Sequence, residues 1–270
     1  MCYDRVDRLV EEIGGERMES TTIIVIPAEG DSPDTETAYV KRLKRYYTKV
    51  HHRQLNVLVF EHDCVSKDRM DIFISTILRV RWFAQEHDLE NAEIHAQGGL
   101  GAFVAYEFLR YCPEKIATVF MVGGAPSDAM TWVAKLFHRG LIRLWYHFRW
   151  LIPFFADDPN SKNDETIERI KASSTEFMRA YPELYRNQLL YIGEWCISDD
   201  WQALSAYKVY FVPNGKTVRP TWWDNTYNNE RAKEVWARHG VQCTEAPGDN
   251  FSFYSLMPAQ ALFKIMDSVR

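Results

Sequence analysis

The sequence predicts an α/β protein, built on a mostly parallel sheet with helices on both faces. Three observations lead there. Short β-branched or apolar runs alternate with amphipathic stretches over most of the 270 residues, which is the pattern of strand–helix–strand units with right-handed crossovers. Runs such as Val119-Phe120-Met121-Val122 are apolar without alternation, as suits strands buried on both faces. At 46% hydrophobic content, a chain of this length can bury one large core.

The elements follow in order. Tyr3, Val6, Leu9, Val10 and Ile13 share one helical face, closed by Gly14-Gly15, so a first helix is expected there. Residues 22–26 form a β-branched strand that Pro27 stops. Residues 38–47 read as a helix with Lys41, Arg42, Lys44 and Arg45 outward. Strand 55–60 and helix 70–86 come next, the helix placing Phe73, Ile77, Val80 and Phe83 on one side. Strand 92–96 precedes helix 102–111, which Pro113 closes, and strand 116–122 ends in Gly123-Gly124.

The alternation breaks there. From about residue 128 to 206 there are helical patterns and no convincing strand. It resumes with strand 208–212, helix 230–239 stopped by Gly240, strand 241–245 and a closing helix 259–269. The expected organisation is therefore a core of residues 1–127 and 207–270, with a helical insertion at 128–206.

Bulk chemistry excludes several classes. A net charge of −5 gives no general attraction to nucleic acid or to an anionic membrane. The five cysteines (Cys2, Cys64, Cys112, Cys196 and Cys243) are odd in number, scattered and without a Cys-x-x-Cys pair. Neither a disulfide framework nor a metal site is expected. The N-terminal residues show no basic start followed by an apolar run, and no stretch of about 18 uncharged apolar residues occurs. A cytoplasmic protein without cofactor or membrane contact is the expectation, and a homo-oligomer stays open.

The most telling segment is Ile94-His95-Ala96-Gln97-Gly98-Gly99-Leu100-Gly101-Ala102. A strand, a tight glycine turn and a helix follow one another there, the layout that displays a serine through the pattern Gly-x-Ser-x-Gly. With the helix after it, the Pro113-Glu114-Lys115 turn and the strand ending in Gly123-Gly124, this stretch resembles the α/β hydrolases. So does the chain end, where a strand, the Pro247-Gly248 turn and a helix introduced by Pro258 follow one another. The resemblance spans roughly residues 22–269. It implies an α/β-hydrolase sheet lacking an early hairpin, with a helical cap between what would be the family's sixth and seventh strands.

What the resemblance implies about chemistry fails position by position. Gly99 falls in the nucleophile slot, Val218 in the carboxylate slot of Gly215-Lys216-Thr217-Val218, and Asn250, beside Asp249, in the histidine slot. The loop that helps build an oxyanion hole reads Pro27-Ala28-Glu29-Gly30. A triad needs a nucleophile, an imidazole and an orienting carboxylate, and none stands in its place. The expectation is a pseudoenzyme binding a small, partly hydrophobic molecule between core and cap, for which the non-enzymatic members of this fold, such as the N-myc downstream-regulated family and hormone receptors, give precedent.

Candidate ligand contacts are Glu29, Gly98, Gly99, Leu100, Asp128, Trp222 and Asn250. The glycine turn would leave helix N-terminal amides facing the crevice, where they suit a carboxylate, phosphate or carbonyl oxygen; equally, the glycines fit any tight strand-to-helix turn. A rival reading is an enzyme with unorthodox chemistry that uses Asp128, Asp249, Asn250 or Glu29 as acid or base. His62 with Cys64 is a conceivable pair, although both also read as ordinary loop residues. His95, inside its strand, reads as a buried, hydrogen-bonded histidine. A third reading is an interaction scaffold docking through the aromatic run 136–155 (Phe137, Trp145, Tyr146, Phe148, Trp150, Phe154, Phe155). That run fits cap packing first, pocket lining second and a membrane surface third.

Overall fold

A computed structural model describes residues 21–28, 33–52, 55–62, 68–124, 126–129, 176, 179–194, 204, 207–212, 229–244 and 259–269. The expected first helix, the aromatic run 136–155 and most of the insertion lie outside these residues. So do Glu29, Cys64, Val218, Trp222, Asp249 and Asn250.

Among the described residues the chain forms a six-stranded sheet: β1 (Thr21–Ile26), β2 (Leu55–Val59), β3 (Ala92–Gln97), β4 (Ile116–Val122), β5 (Lys208–Val212) and β6 (Gln242–Cys243). Their order is β2-β1-β3-β4-β5-β6, and every pairing is parallel. The helices are α1 (Pro33–Tyr46), α2 (Arg69–Glu86), α3 (Gly98–Tyr111), α4 (Pro182–Glu194), α5 (Asn229–Arg238) and α6 (Ala259–Val269). Of the segment between β4 and β5, where the sequence leads one to expect the insertion, α4 is the main described element.

A parallel sheet exists because its crossover helices cover both faces, and here they divide into two apolar layers. On one face α2, α3 and α5 bury Phe60, Val80, Phe83, Phe103, Phe108 and Trp236 against the sheet. On the other, α1 and α6 bury Tyr39, Leu43, Tyr46 and Phe263 against Phe120 and Tyr210. Continuous burial of β3 and of the last four residues of β1 follows from lying between them. No described helix is long and apolar enough to cross a membrane.

Three boundaries differ from the expectation. Helix α1 starts at Pro33, a residue pre-set for a first helical turn, and runs on as a π-helical turn, Tyr47–His51, to His52 in the left-handed region. The helix after β3 starts at Gly98 and not near Ala102, because glycine is tolerated in a first turn whose N–H groups need no intrahelical partner. The last strand is shorter, Gln242–Cys243, because this edge pairs with β5 only at Tyr210 and Phe211.

Candidate functional site

Ligand sites in open parallel sheets lie beyond the carboxyl ends of the strands. Here β1 leads into Pro27, β2 into His62, β3 into the glycine turn, and β4 into Gly123-Gly124 and Asp128. Of the sequence-derived candidates, Gly98, Gly99, Leu100 and Asp128 are described.

The turn after β3 differs from its sequence reading by one residue. The left-handed residue is Gly98, at φ 66°, and not Gly99. Positive φ marks the strained tip of such an elbow, so Gly98 occupies the place of a nucleophile and the assignment to Gly99 is corrected. The tip falls earlier because β3 ends at Gln97 and α3 begins directly at Gly98, so the reversal has only Gly98 on which to fall. Both positions are glycine, so no attacking side chain stands in this turn.

Gly98 is half-buried, whereas Gly99 and Leu100 are buried. What covers Gly99 is Ile192 of α4, itself fully buried. A Cβ built on Gly99 would stand 2.6 Å from Ile192 Cγ2, inside van der Waals contact. Glycine at this position thus serves the close approach of a helix from the insertion. Gly124 has a similar function: a Cβ there would fall 2.2 Å from the Gly98 carbonyl oxygen and 2.7 Å from Ala102 Cβ. The end of β4 therefore lies directly on the elbow. Trp236 of α5 holds it there, donating from Nε1 to the Gly124 carbonyl at 3.0 Å.

Asp128 lies in a single 3-10 turn, Ser127–Ala129, beyond β4. Its Oδ1 is buried without a hydrogen-bond partner among the described residues. Its backbone carbonyl accepts from Arg231 Nε of α5 at 2.9 Å. A buried carboxylate oxygen left unpaired is costly, and such groups concentrate at functional sites.

His62 hydrogen-bonds through Nε2 to the carbonyl of Pro27 at 2.8 Å. A carbonyl only accepts, so Nε2 carries the proton in this tie between the ends of β2 and β1. Burial pushes the imidazole pKa down to about 4; the Pro27 hydrogen bond opposes this and the nearby Arg79 charge adds to it. The ring is thus neutral at physiological pH and committed to backbone. Its suggested partner, Cys64, lies outside the described residues.

The buried groups His95 and Glu107 lie away from the elbow. His95 is fully buried, as its place in β3 suggested. Its Nδ1 meets the Tyr39 hydroxyl at 2.9 Å, and its Nε2 meets Glu93 Oε1 at 2.5 Å. Tyr47 also donates to that carboxylate, at 3.3 Å. This network faces α1 and α6, across the sheet from α3.

Glu107, which sequence reading did not single out, is buried on α3. Burial raises its pKa, and Arg110 opposes the rise through a contact at 3.3 Å. Burial and the Glu107 charge together push the Tyr191 hydroxyl of α4 well above its ordinary range. The available signal was one carboxylate within the otherwise apolar stretch of residues 102–109.

In chemical terms the described carboxyl end of the sheet offers an elbow without a side chain at the start of α3, a neutral imidazole tied to backbone and a carboxylate oxygen with no partner among the described residues. No family profile matches the sequence, and no curated protein matches it. Solved structures do resemble it. Bromoperoxidase from Bacillus anthracis superposes with a TM-score of 0.64 at 11% identity, covering 93% of each chain. A carboxylesterase structure from the thaumarchaeon Nitrososphaera gargenis gives 0.65 at 12%, over 95% of this chain and 92% of that one. The enol-lactonase from Burkholderia xenovorans LB400 gives 0.61 at 13%, over 94% and 93%. At such identities it is the architecture that is shared. With its parallel sheet, the elbow at Gly98 and these likenesses, the chain has the α/β-hydrolase fold.

Proposed function

We propose that this protein is a catalytically degenerate α/β-hydrolase-fold binding protein. Its ligand is a small, partly hydrophobic molecule seated between the carboxyl end of the sheet and the insertion. One observation carries the reading: the elbow has glycine at both Gly98 and Gly99, and the second lies against Ile192. Hydrolases of this fold rely on an oxygen nucleophile displayed at that point. A helix packed onto the residue after the tip further limits what can be rebuilt there.

Gly98, the first residue of α3, is only half-buried. Amides at a helix N-terminus favour an anionic or carbonyl oxygen, so the polar end of the ligand is assigned to them. Its apolar part is assigned to the insertion.

A second reading is supported by Asp128. An unpaired buried carboxylate oxygen at the end of β4 is suited to acid–base work on a carbonyl compound polarised by the elbow amides.

The deciding experiment presents acyl esters, thioesters and lactones to the native protein, Gly98→Ser and Asp128→Ala. Native turnover at the uncatalysed background supports the binding protein. Turnover that disappears with Asp128→Ala refutes it in favour of the second reading. In parallel, a thermal-shift screen of small carboxylic acids should find a stabilising ligand; at about 100 times its Kd, a ligand adds roughly 2.7 kcal/mol.

A further inference from the structure

Helix α2 turns four large apolar side chains outward, each four residues after the last. Met70 is 54% exposed, Ile74 51%, Leu78 57% and Trp82 61%. They are not the helix's core-facing side, since Ile72, Thr76, Val80, Phe83 and Ala84 on the opposite side are buried. A surface helix ordinarily keeps its outer face polar. Single exposed apolar residues need no explanation, but a contiguous stripe about 18 Å long marks an interaction surface.

The pattern along this stripe is complementary to its own reverse. Counted from the level of Thr76, Met70 mirrors Trp82, Ile74 mirrors Leu78, and Asp71 mirrors Arg81. Asp71 and Arg81 are both exposed; within one chain the Arg81 guanidinium rests over the Tyr111 ring, 5.3 Å from its centroid, a contact it would exchange for the copy's carboxylate. A second copy of α2 laid antiparallel on the stripe therefore meets apolar with apolar along its length. It also brings Asp71 level with the copy's Arg81 on both sides of a two-fold axis, where the long guanidinium can reach across. A parallel arrangement would instead set aspartate near aspartate and arginine near arginine, which is repulsive.

A lipid surface is less suited. Interfacial helices carry lysine and arginine along the polar flanks of the apolar face, whereas acidic Asp71 and Glu86 interrupt this outward side.

We propose that this chain forms a two-fold homodimer through the outer face of α2. Helices pack antiparallel, burying Met70, Ile74, Leu78 and Trp82 and pairing Asp71 with Arg81 of the second copy. An isologous contact of this kind closes on itself and stops at two subunits. The interface is separate from the elbow and stands whether or not the crevice binds a ligand.

Sedimentation equilibrium of the full chain over about 1–100 µM tests this, alongside Leu78→Asp, Asp71→Arg, Arg81→Asp and the double charge reversal. The expected result is a dimer whose Kd rises about 100-fold in Leu78→Asp and about 10-fold in each single charge variant. The double reversal should return to within about threefold of native, because it restores opposite charges across the axis. All three positions are exposed, and far-UV circular dichroism checks that each variant is folded; should Leu78→Asp unfold, the charge variants decide alone. A monomer throughout the range, including one that instead binds vesicles or another protein, overturns the proposal. A dimer indifferent to these changes, or single-charge losses that the double reversal does not repair, overturns it equally.

Discussion

The contact of Ile192 with Gly99 predicts a mutational coupling that can be measured. Gly99→Ala places a methyl 2.6 Å from Ile192 Cγ2, about an ångström inside ordinary contact. Ile192 is fully buried and has little room to yield, so the overpacking cost is expected at about 1–3 kcal/mol. Alanine's better helix propensity returns at most about 1 kcal/mol. Alone, Ile192→Ala leaves a cavity and costs about 2–5 kcal/mol. In the Ile192→Ala background the added methyl meets open space, and Gly99→Ala should become neutral or stabilising. The coupling energy is therefore about 1–3 kcal/mol. Urea unfolding of the four proteins, followed by circular dichroism at a common slope, gives the cycle directly. Additivity within about 0.5 kcal/mol would refute the placement of α4 on the elbow. It would also remove the steric limit on rebuilding the residue after the tip.

Two further predictions follow from buried polar groups. The His62 pKa is lowered to about 4, below its ordinary value near 6.5, so between these pH values the unfolded chain binds the extra proton. Stability is complete above about pH 6.5 and falls as pH drops toward 4, with a slope approaching 1.4 kcal/mol per pH unit from this group; His62→Gln should flatten that part of a denaturation series, and an unchanged slope would refute it. Tyr39→Phe withdraws the hydroxyl that meets His95 Nδ1 and should cost about 1–3 kcal/mol in urea unfolding, whereas a loss below about 0.5 kcal/mol would show that the bond has no net worth.

Strands β1, β2, β3 and β4 and the closing helix were legible because period and composition report burial directly. β-branched runs such as Thr22-Ile23-Ile24-Val25-Ile26 have few alternatives to a buried strand, and α6 ends where its amphipathic pattern ends. Helix starts were less legible. Glycine is discouraged by helix propensity, yet α3 begins at Gly98 because the strand delivers the chain into a turn that only positive φ completes. The one-residue displacement of the elbow has the same origin, since spacing does not say whether Gln97 belongs to the strand or to the turn.

The candidate site divides along similar lines. That the elbow lacks a side chain follows from residue identity at both Gly98 and Gly99, whichever of them is the tip. That His95 is a structural histidine followed from its place among apolar strand residues. Asp128 was a candidate by position, but that its Oδ1 is buried with no partner among the described residues is a matter of tertiary packing that its place in the sequence does not report. Ile192 was invisible because it lies more than ninety residues beyond Gly99 in the chain, and nothing local signals that pairing. The outward stripe of α2 was missed for a different reason. An apolar residue in a helical sequence is assigned to the core by default, and here the helix has two apolar faces.

By itself, the sequence determined the α/β class, the parallel order of units, the break after β4 and the absence of an attacking side chain in the elbow. These depend on periodicity and residue type, which are local properties of the chain. Only the tertiary structure decided that Gly98 is the tip, that a helix from the insertion covers Gly99, that His62 is a neutral tie to Pro27, and that α2 leaves an apolar face in water. Each of those is set by which distant segment comes to lie against a given residue, and close packing, not sequence spacing, makes that choice.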